Sequence, residues 1–150
     1  MAKSCSFILL PIVALFSITS CNSHSIEIEI ARQSSELNQC EYIFGEDLNT
    51  LKLENAILLQ TGTIDTTDEQ PPILVAIVLL NKKETILKLA SHSEVGNETT
   101  ETYEGEGYKL TLHYNKQITE HDETIFKGKL LIEFKNLKSE YEIEGTTCNL

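Results

Sequence analysis

Apolar and polar positions alternate with a period of two along much of the chain, the spacing of strands that bury one face. The pattern is clearest in the C-terminal third. Tyr108, Leu110, Leu112 and Tyr114 alternate with Lys109, Thr111, His113 and Asn115. Phe126, Gly128, Leu130, Ile132 and Phe134 alternate with Lys127, Lys129, Leu131, Glu133 and Lys135, and Tyr141 and Ile143 with Glu140, Glu142 and Glu144. These segments predict a three-strand meander over a core. A turn centred on Leu137-Lys138 would pair Phe134 with Tyr141 and Ile132 with Ile143 inside, and Lys135 with Glu140 outside. Such pairs contribute about 0.2–1 kcal/mol each. The same register sets Glu133 against Glu142, a small penalty that Lys135 relieves diagonally.

Upstream the pattern is patchier. Ile26, Ile28 and Ile30 alternate with Glu27 and Glu29, a strand with one wet face, and Cys40–Phe44 reads as another strand closed by Gly45. Leu51–Gln60 fits neither the strand nor the helix period. Residues 61–70 read as a polar loop punctuated by Pro71-Pro72. Ile73–Leu80 is continuously apolar and rich in β-branched residues, which predicts a strand buried on both faces. Asn81–Glu84 makes a turn, Thr85–Ala90 returns as its hairpin partner, and Ser91–Thr102 reads as an exposed polar stretch. Seven or so short strands with frequent turns predict an all-β domain, a small antiparallel sandwich or barrel.

One segment departs from this alternation. Phe7–Phe16 is an uncharged apolar run of ten residues behind a single charge, Lys3. A bilayer-spanning helix needs about 20 apolar residues, so the run fits the core of an export signal followed by small residues at a cleavage site. The residues that end it, Ile18-Thr19-Ser20-Cys21, resemble the lipobox of bacterial lipoproteins. The resemblance implies cleavage before Cys21 and lipidation of its sulfur; ordinary signal cleavage with Cys21 free to pair is the alternative. It divides the chain into a signal peptide at 1–20, a lipidated tether at 21–25 and one β domain at 26–150. Asn22 is not the Asp that holds such lipoproteins in the inner membrane, and the first acids, Glu27 and Glu29, do not directly follow the Cys as in surface-exported ones. The expected location is therefore the cell envelope, on the outer membrane facing the periplasm. One acyl chain binds a bilayer only marginally, but a lipoprotein Cys carries several.

Lipidation of Cys21 and loss of Cys5 with the signal leave Cys40 and Cys148, 108 positions apart. An even pair in an oxidising compartment reads as one disulfide. A metal site or a catalytic thiol is the alternative, but the chain has no CxxC and no His near Cys40 in sequence.

Charge narrows the partners. The chain carries 12 Lys+Arg against 23 acids, a net charge of −11. Residues 1–20 contain Lys3 and no acid, so the mature balance is 11 minus 23, or −12. Nucleic acid is an unsuitable partner for such a surface, whereas a cationic protein would be steered toward it. At 150 residues and 41% hydrophobic content the chain has enough apolar material for one folded domain.

Candidate chemistry is sparse. His24, His92, His113 and His121 are scattered, and His121-Asp122-Glu123 could form only a weak metal site. The 65–69 run, Asp-Thr-Thr-Asp-Glu, lacks the spacing and Gly of a calcium loop. Glu140, Glu142 and Glu144 share a solvated face, and no sequence feature singles out a catalytic acid. Asn97-Glu98-Thr99 matches a glycosylation sequon, which means little in a bacterial lipoprotein. Tyr103-Glu104-Gly105-Glu106-Gly107-Tyr108 suits a tight turn or bulge more than a ligand contact. No cofactor and no enzymatic activity is expected.

The order of lipobox, Val78–Glu84 hairpin, glycine-tyrosine strand and near-terminal Cys resembles the layout of small envelope lipoproteins, among them the membrane-bound inhibitors of c-type lysozyme. That family's Ser-Gly-x-x-Tyr motif is absent, Ser93-Glu94-Val95-Gly96 not matching it, so no residue role carries over. Uncharacterised bacterial lipoproteins ending like Gly145-Thr146-Thr147-Cys148 are the nearer likeness. Two functions are expected. The first is a non-enzymatic binding protein, an inhibitor of or immunity protein against a basic partner. The second is a lipocalin-like carrier of a small apolar ligand, marked by a void lined by the Tyr108 and Phe126 faces.

Overall fold

Strands that bury one face and expose the other can satisfy every edge by closing on themselves, and this chain does so. The computed structural model describes residues 25–66, 70–119 and 121–148. The signal segment, Cys21 and His24 lie outside them, as do residues 67–69. In chain order the elements are β1 (Ile28–Glu29), β2 (Gln39–Gly45), α1 (Leu48–Glu54), β3 (Leu59–Ile64), β4 (Ile73–Leu80), β5 (Lys83–Val95), β6 (Glu98–Gly105), β7 (Tyr108–Ile118), β8 (Thr124–Phe134) and β9 (Leu137–Thr147). Antiparallel ladders run β4–β3–β2–β9–β8–β7–β6–β5, and β5 pairs back onto β4. The expected all-β domain is thus an eight-stranded closed barrel, with β1 added beside β4 through Ile28 opposite Leu80. No helix among the described residues is long and apolar enough to cross a membrane.

The barrel has two unlike ends. At one end sit three two-residue turns, Asn81-Lys82, Glu106-Gly107 and Lys135-Asn136. In the first two turns both residues have positive φ, the type I′ geometry that matches strand twist. This end is sealed. Ile26 and Ile28 join the core there, beside Leu80. The Tyr141 hydroxyl accepts from the Ile28 N–H at 3.0 Å and donates to the Ile26 carbonyl at 2.9 Å, while the Ile26 N–H donates to Ser139 Oγ at 3.0 Å. Above this plug the interior is filled by Leu110, Leu112, Leu130, Ile132 and Leu87, all with no solvent exposure.

Outside the barrel, two coverings bury further apolar surface. The β4 residues Val75 and Ile77, which alternate with the inward Ala76 and Val78, are themselves buried, as expected of a strand covered on both faces. The neighbouring Gln60 side chain accepts from the Ser34 N–H at 2.8 Å and donates to the Arg32 carbonyl at 3.0 Å, pinning residues 32–34 over this outer surface. On the other side α1 packs Leu51 against Ile43 and Ile57. Its N-cap, Asp47, accepts from the Asn49 and Thr50 N–H groups at 2.9 and 3.0 Å. Cys40 and Cys148 border this cluster and form the expected disulfide, with Cα atoms 5.8 Å apart.

Three expectations are corrected. The β8–β9 turn is Lys135-Asn136, so Leu130 faces Tyr141, Gly128 faces Ile143 and Leu131 faces Glu140. The register moves by four positions, which keeps every inward residue inward. It also places Leu137 beside Phe134 against the core, where the expected turn would have exposed it. Glu133 then meets Lys138, not Glu142, with an ion pair at 3.3 Å. The second concerns Ser91–Thr102: residues 91–98 are exposed as expected, but the stretch forms the polar halves of β5 and β6, and Thr99 and Glu101 are buried. The third lies in residues 48–64, where the ambiguous segment and the start of the expected loop are α1 and β3.

Candidate functional site

At the end opposite the plug, two bulges turn polar side chains toward the barrel axis. One lies in β2 between Cys40 and Tyr42, the other in β5 between Leu89 and Ser91. A bulge inserts an extra residue and re-aims the side chains beyond it. After the β5 bulge, His92 and Glu94 fall on the same face as Leu89. Across the ladder, His92 faces Glu101 and Glu94 faces Thr99. Thr99, Glu101 and Tyr103, at alternate positions of β6, are all buried, so the interior changes here from aliphatic to polar.

The result is a cavity of about 630 Å³, open at this end and walled by β2 and β4 to β8. Glu101 is its central polar group and is only 8% exposed. The Tyr103 hydroxyl donates to Glu101 Oε2 at 2.7 Å, and His92 Nδ1 lies 3.2 Å from Oε1. Burial, reinforced by the Glu101 charge, pushes the ionisation of Tyr103 and Tyr114 far above the ordinary tyrosine range. Tyr42 is also raised, by burial and then by Glu41. These phenols therefore stay protonated, and that of Tyr103 donates to Glu101. The Glu41 carboxyl is raised by burial first and by Glu101 second. Below them Tyr42, Tyr114 and Phe126 pack edge to face, with ring centroids 4.7–6.3 Å apart.

Of the residues singled out in the sequence, His92, Asn97, Thr99, Tyr103 and Phe126 border the cavity, and the following fall elsewhere. His113 is on the outer face, 2.8 Å from Thr100 Oγ1. His121 lies in the β7–β8 loop, where Glu123 pairs with Lys52. Asp65 accepts from Asn38 at the end of β3. The Tyr103–Tyr108 string does make a tight turn, at Glu106-Gly107, and Glu106 pairs with Lys83 at 3.0 Å. Glu140, Glu142 and Glu144 lie outside the barrel in ion pairs with Lys129 and Lys127 at 2.8–3.0 Å. Among the described residues, His, Cys, Asp and Glu side chains nowhere gather in threes at metal-ligating spacing.

The anticipated void is present in part. Phe126 borders it, but Tyr108 belongs to the sealed end, where it stacks on Phe134 with centroids 4.4 Å apart. Sequence reasoning missed Glu41, Tyr42, Glu101 and Tyr114 as wall residues. The available signal was Thr99, Glu101 and Tyr103 at period two, running on in register with the apolar strands. No protein family, curated protein or solved structure matches this chain.

Proposed function

We propose that the protein is a lipid-anchored envelope protein that holds a small molecule in the open half of its barrel, in the manner of a lipocalin-like carrier. The observation that carries this reading is the cavity itself. Its volume of about 630 Å³ falls within the ~300–1,000 Å³ usual for small-molecule sites. Its lining combines aromatic and aliphatic walls with a comparable share of polar and charged groups, more polar than is usual for such sites. Docking of a basic protein on the acidic exterior has less support, because the β8–β9 face already spends its acids on Lys127, Lys129 and Lys138.

The test is binding of the neutral dye N-phenyl-1-naphthylamine, followed by dye fluorescence, together with native mass spectrometry of protein taken from its own envelope. Saturable one-to-one binding is expected, and Leu89→Trp, which fills the cavity wall, should abolish it while leaving the circular dichroism spectrum unchanged. A protein that takes up neither dye nor any endogenous molecule would overturn the reading. The anchor is tested separately. Native protein should partition into detergent, and Cys21→Ala should move it to the aqueous phase.

A further inference from the structure

The charges that face the cavity do not balance. Glu41, Glu94 and Glu101 line it, against Lys116 and His92. A carboxylate taken out of water costs free energy unless it is paired. Yet Glu101, with 8% exposure, has only the Tyr103 hydroxyl and the His92 ring as partners. Five other lysines, Lys52, Lys83, Lys127, Lys129 and Lys138, are engaged in ion pairs elsewhere. Lys116 makes no ion pair among the described residues.

The remaining wall suits a charged guest with an apolar body. Tyr42, Tyr114 and Phe126 form an aromatic cluster along one side of the cavity, their rings inclined at 60–82° to one another. The faces of such rings attract an ammonium or guanidinium group. Leu74 and Leu89 add aliphatic surface.

We infer that the molecule held in the cavity is an organic cation, an amine, guanidinium or quaternary ammonium on an apolar body, whose charge meets Glu101 and the Tyr42, Tyr114 and Phe126 rings; this rests on the binding role proposed above. A bare metal ion fits less well, because among the described residues the carboxylates and His92 are not clustered at ligating spacing.

The experiment displaces the neutral dye with a matched pair, benzyltrimethylammonium and its carbon isostere neopentylbenzene. The cation should displace at a concentration about tenfold lower or better, with the advantage shrinking as salt is raised. Glu101→Gln should lose that preference while still binding the dye; Glu41→Gln, at a less buried position, should lose part of it and serves if the first variant folds poorly. Equal displacement by the two compounds, or a preference that survives both substitutions, overturns the cation assignment and leaves the carrier reading standing. Failure of the dye and of both compounds to bind overturns both.

Discussion

Tyr103 and Glu101 are two residues apart on β6, face the same interior, and are joined by a hydrogen bond of 2.7 Å from the phenol to the carboxylate. Tyr103→Phe removes that donor and leaves one oxygen of a buried carboxylate unpartnered. The expected loss is about 1–3 kcal/mol in urea denaturation, because an unsatisfied buried acceptor costs more than the bond contributed. In a double-mutant cycle with Glu101→Gln the two changes should couple by more than about 0.5 kcal/mol. Additive effects would show that the bond is not formed in solution.

Three of the five tyrosines should resist alkali. Burial raises Tyr103, Tyr114 and Tyr42 above the ordinary value of about 10. Their protonated forms are thus favoured by folding, so the stability they contribute is fully present below about pH 10 and is lost as pH rises beyond it. The ultraviolet phenolate band of the native protein should therefore lag at least three tyrosines behind that of the urea-unfolded protein. Complete titration of all five near pH 10 in a protein that remains folded would contradict this.

Cys40 and Cys148 close a loop of 108 residues. On chain-entropy grounds so long a loop corresponds to about 4.7 kcal/mol, and losses on removing native bridges run about 2–5. A Cys40→Ala, Cys148→Ala double variant should unfold at markedly lower denaturant, and reductant should have no further effect on it. An unchanged midpoint would mean that the bridge contributes nothing.

Glu144 links three elements. One oxygen pairs with Lys127 of β8 at 2.8 Å, and the other accepts from the Leu48 N–H at the start of α1 at 3.0 Å. The Lys127 hydrogen bond first, then that of Leu48, lowers its pKa below the usual carboxylate value. Its contribution is therefore present above the ordinary glutamate pKa of about 4.3 and fades as pH falls through the lower folded value. Glu144→Gln should destabilise the protein by about 1 kcal/mol at pH 7 and progressively less in acid. A penalty that stays constant from neutral pH down to about pH 3 would refute the assignment.

Much of the fold is written in alternation, but alternation specifies which face a residue takes and not which residue it meets. The inward sets of β7, β8 and β9 can be read directly from Tyr108 to Ile143, whereas the β8–β9 pairing depends on a turn, Lys135-Asn136, that lacks the Asn-Gly or Asp-Gly signature. Lys135 there has positive φ, a conformation its side chain does not advertise. The site was harder to read for a related reason. A polar residue inside a barrel looks, in sequence, like a polar residue outside one. Thr99 and Glu101 continue the period of Tyr103 opposite Tyr114 and Leu112, but His92 and Glu94 could be assigned inward only once the bulge after Leu89 was known. Helix α1 is short, and its best clue was the capping Asp47, which the irregular leucines after it obscured.

The plug formed by Ile26 and Ile28 makes the barrel a cup with one rim. In the proposed carrier role a guest would enter and leave past the residues around that rim. The base also carries the start of the domain. Three residues lie between Cys21 and Ser25, so the four steps reach at most roughly 14 Å. With a lipid on Cys21, as proposed, the cup would stand on the bilayer by its base and hold its rim toward the aqueous space, away from the fatty surface beneath.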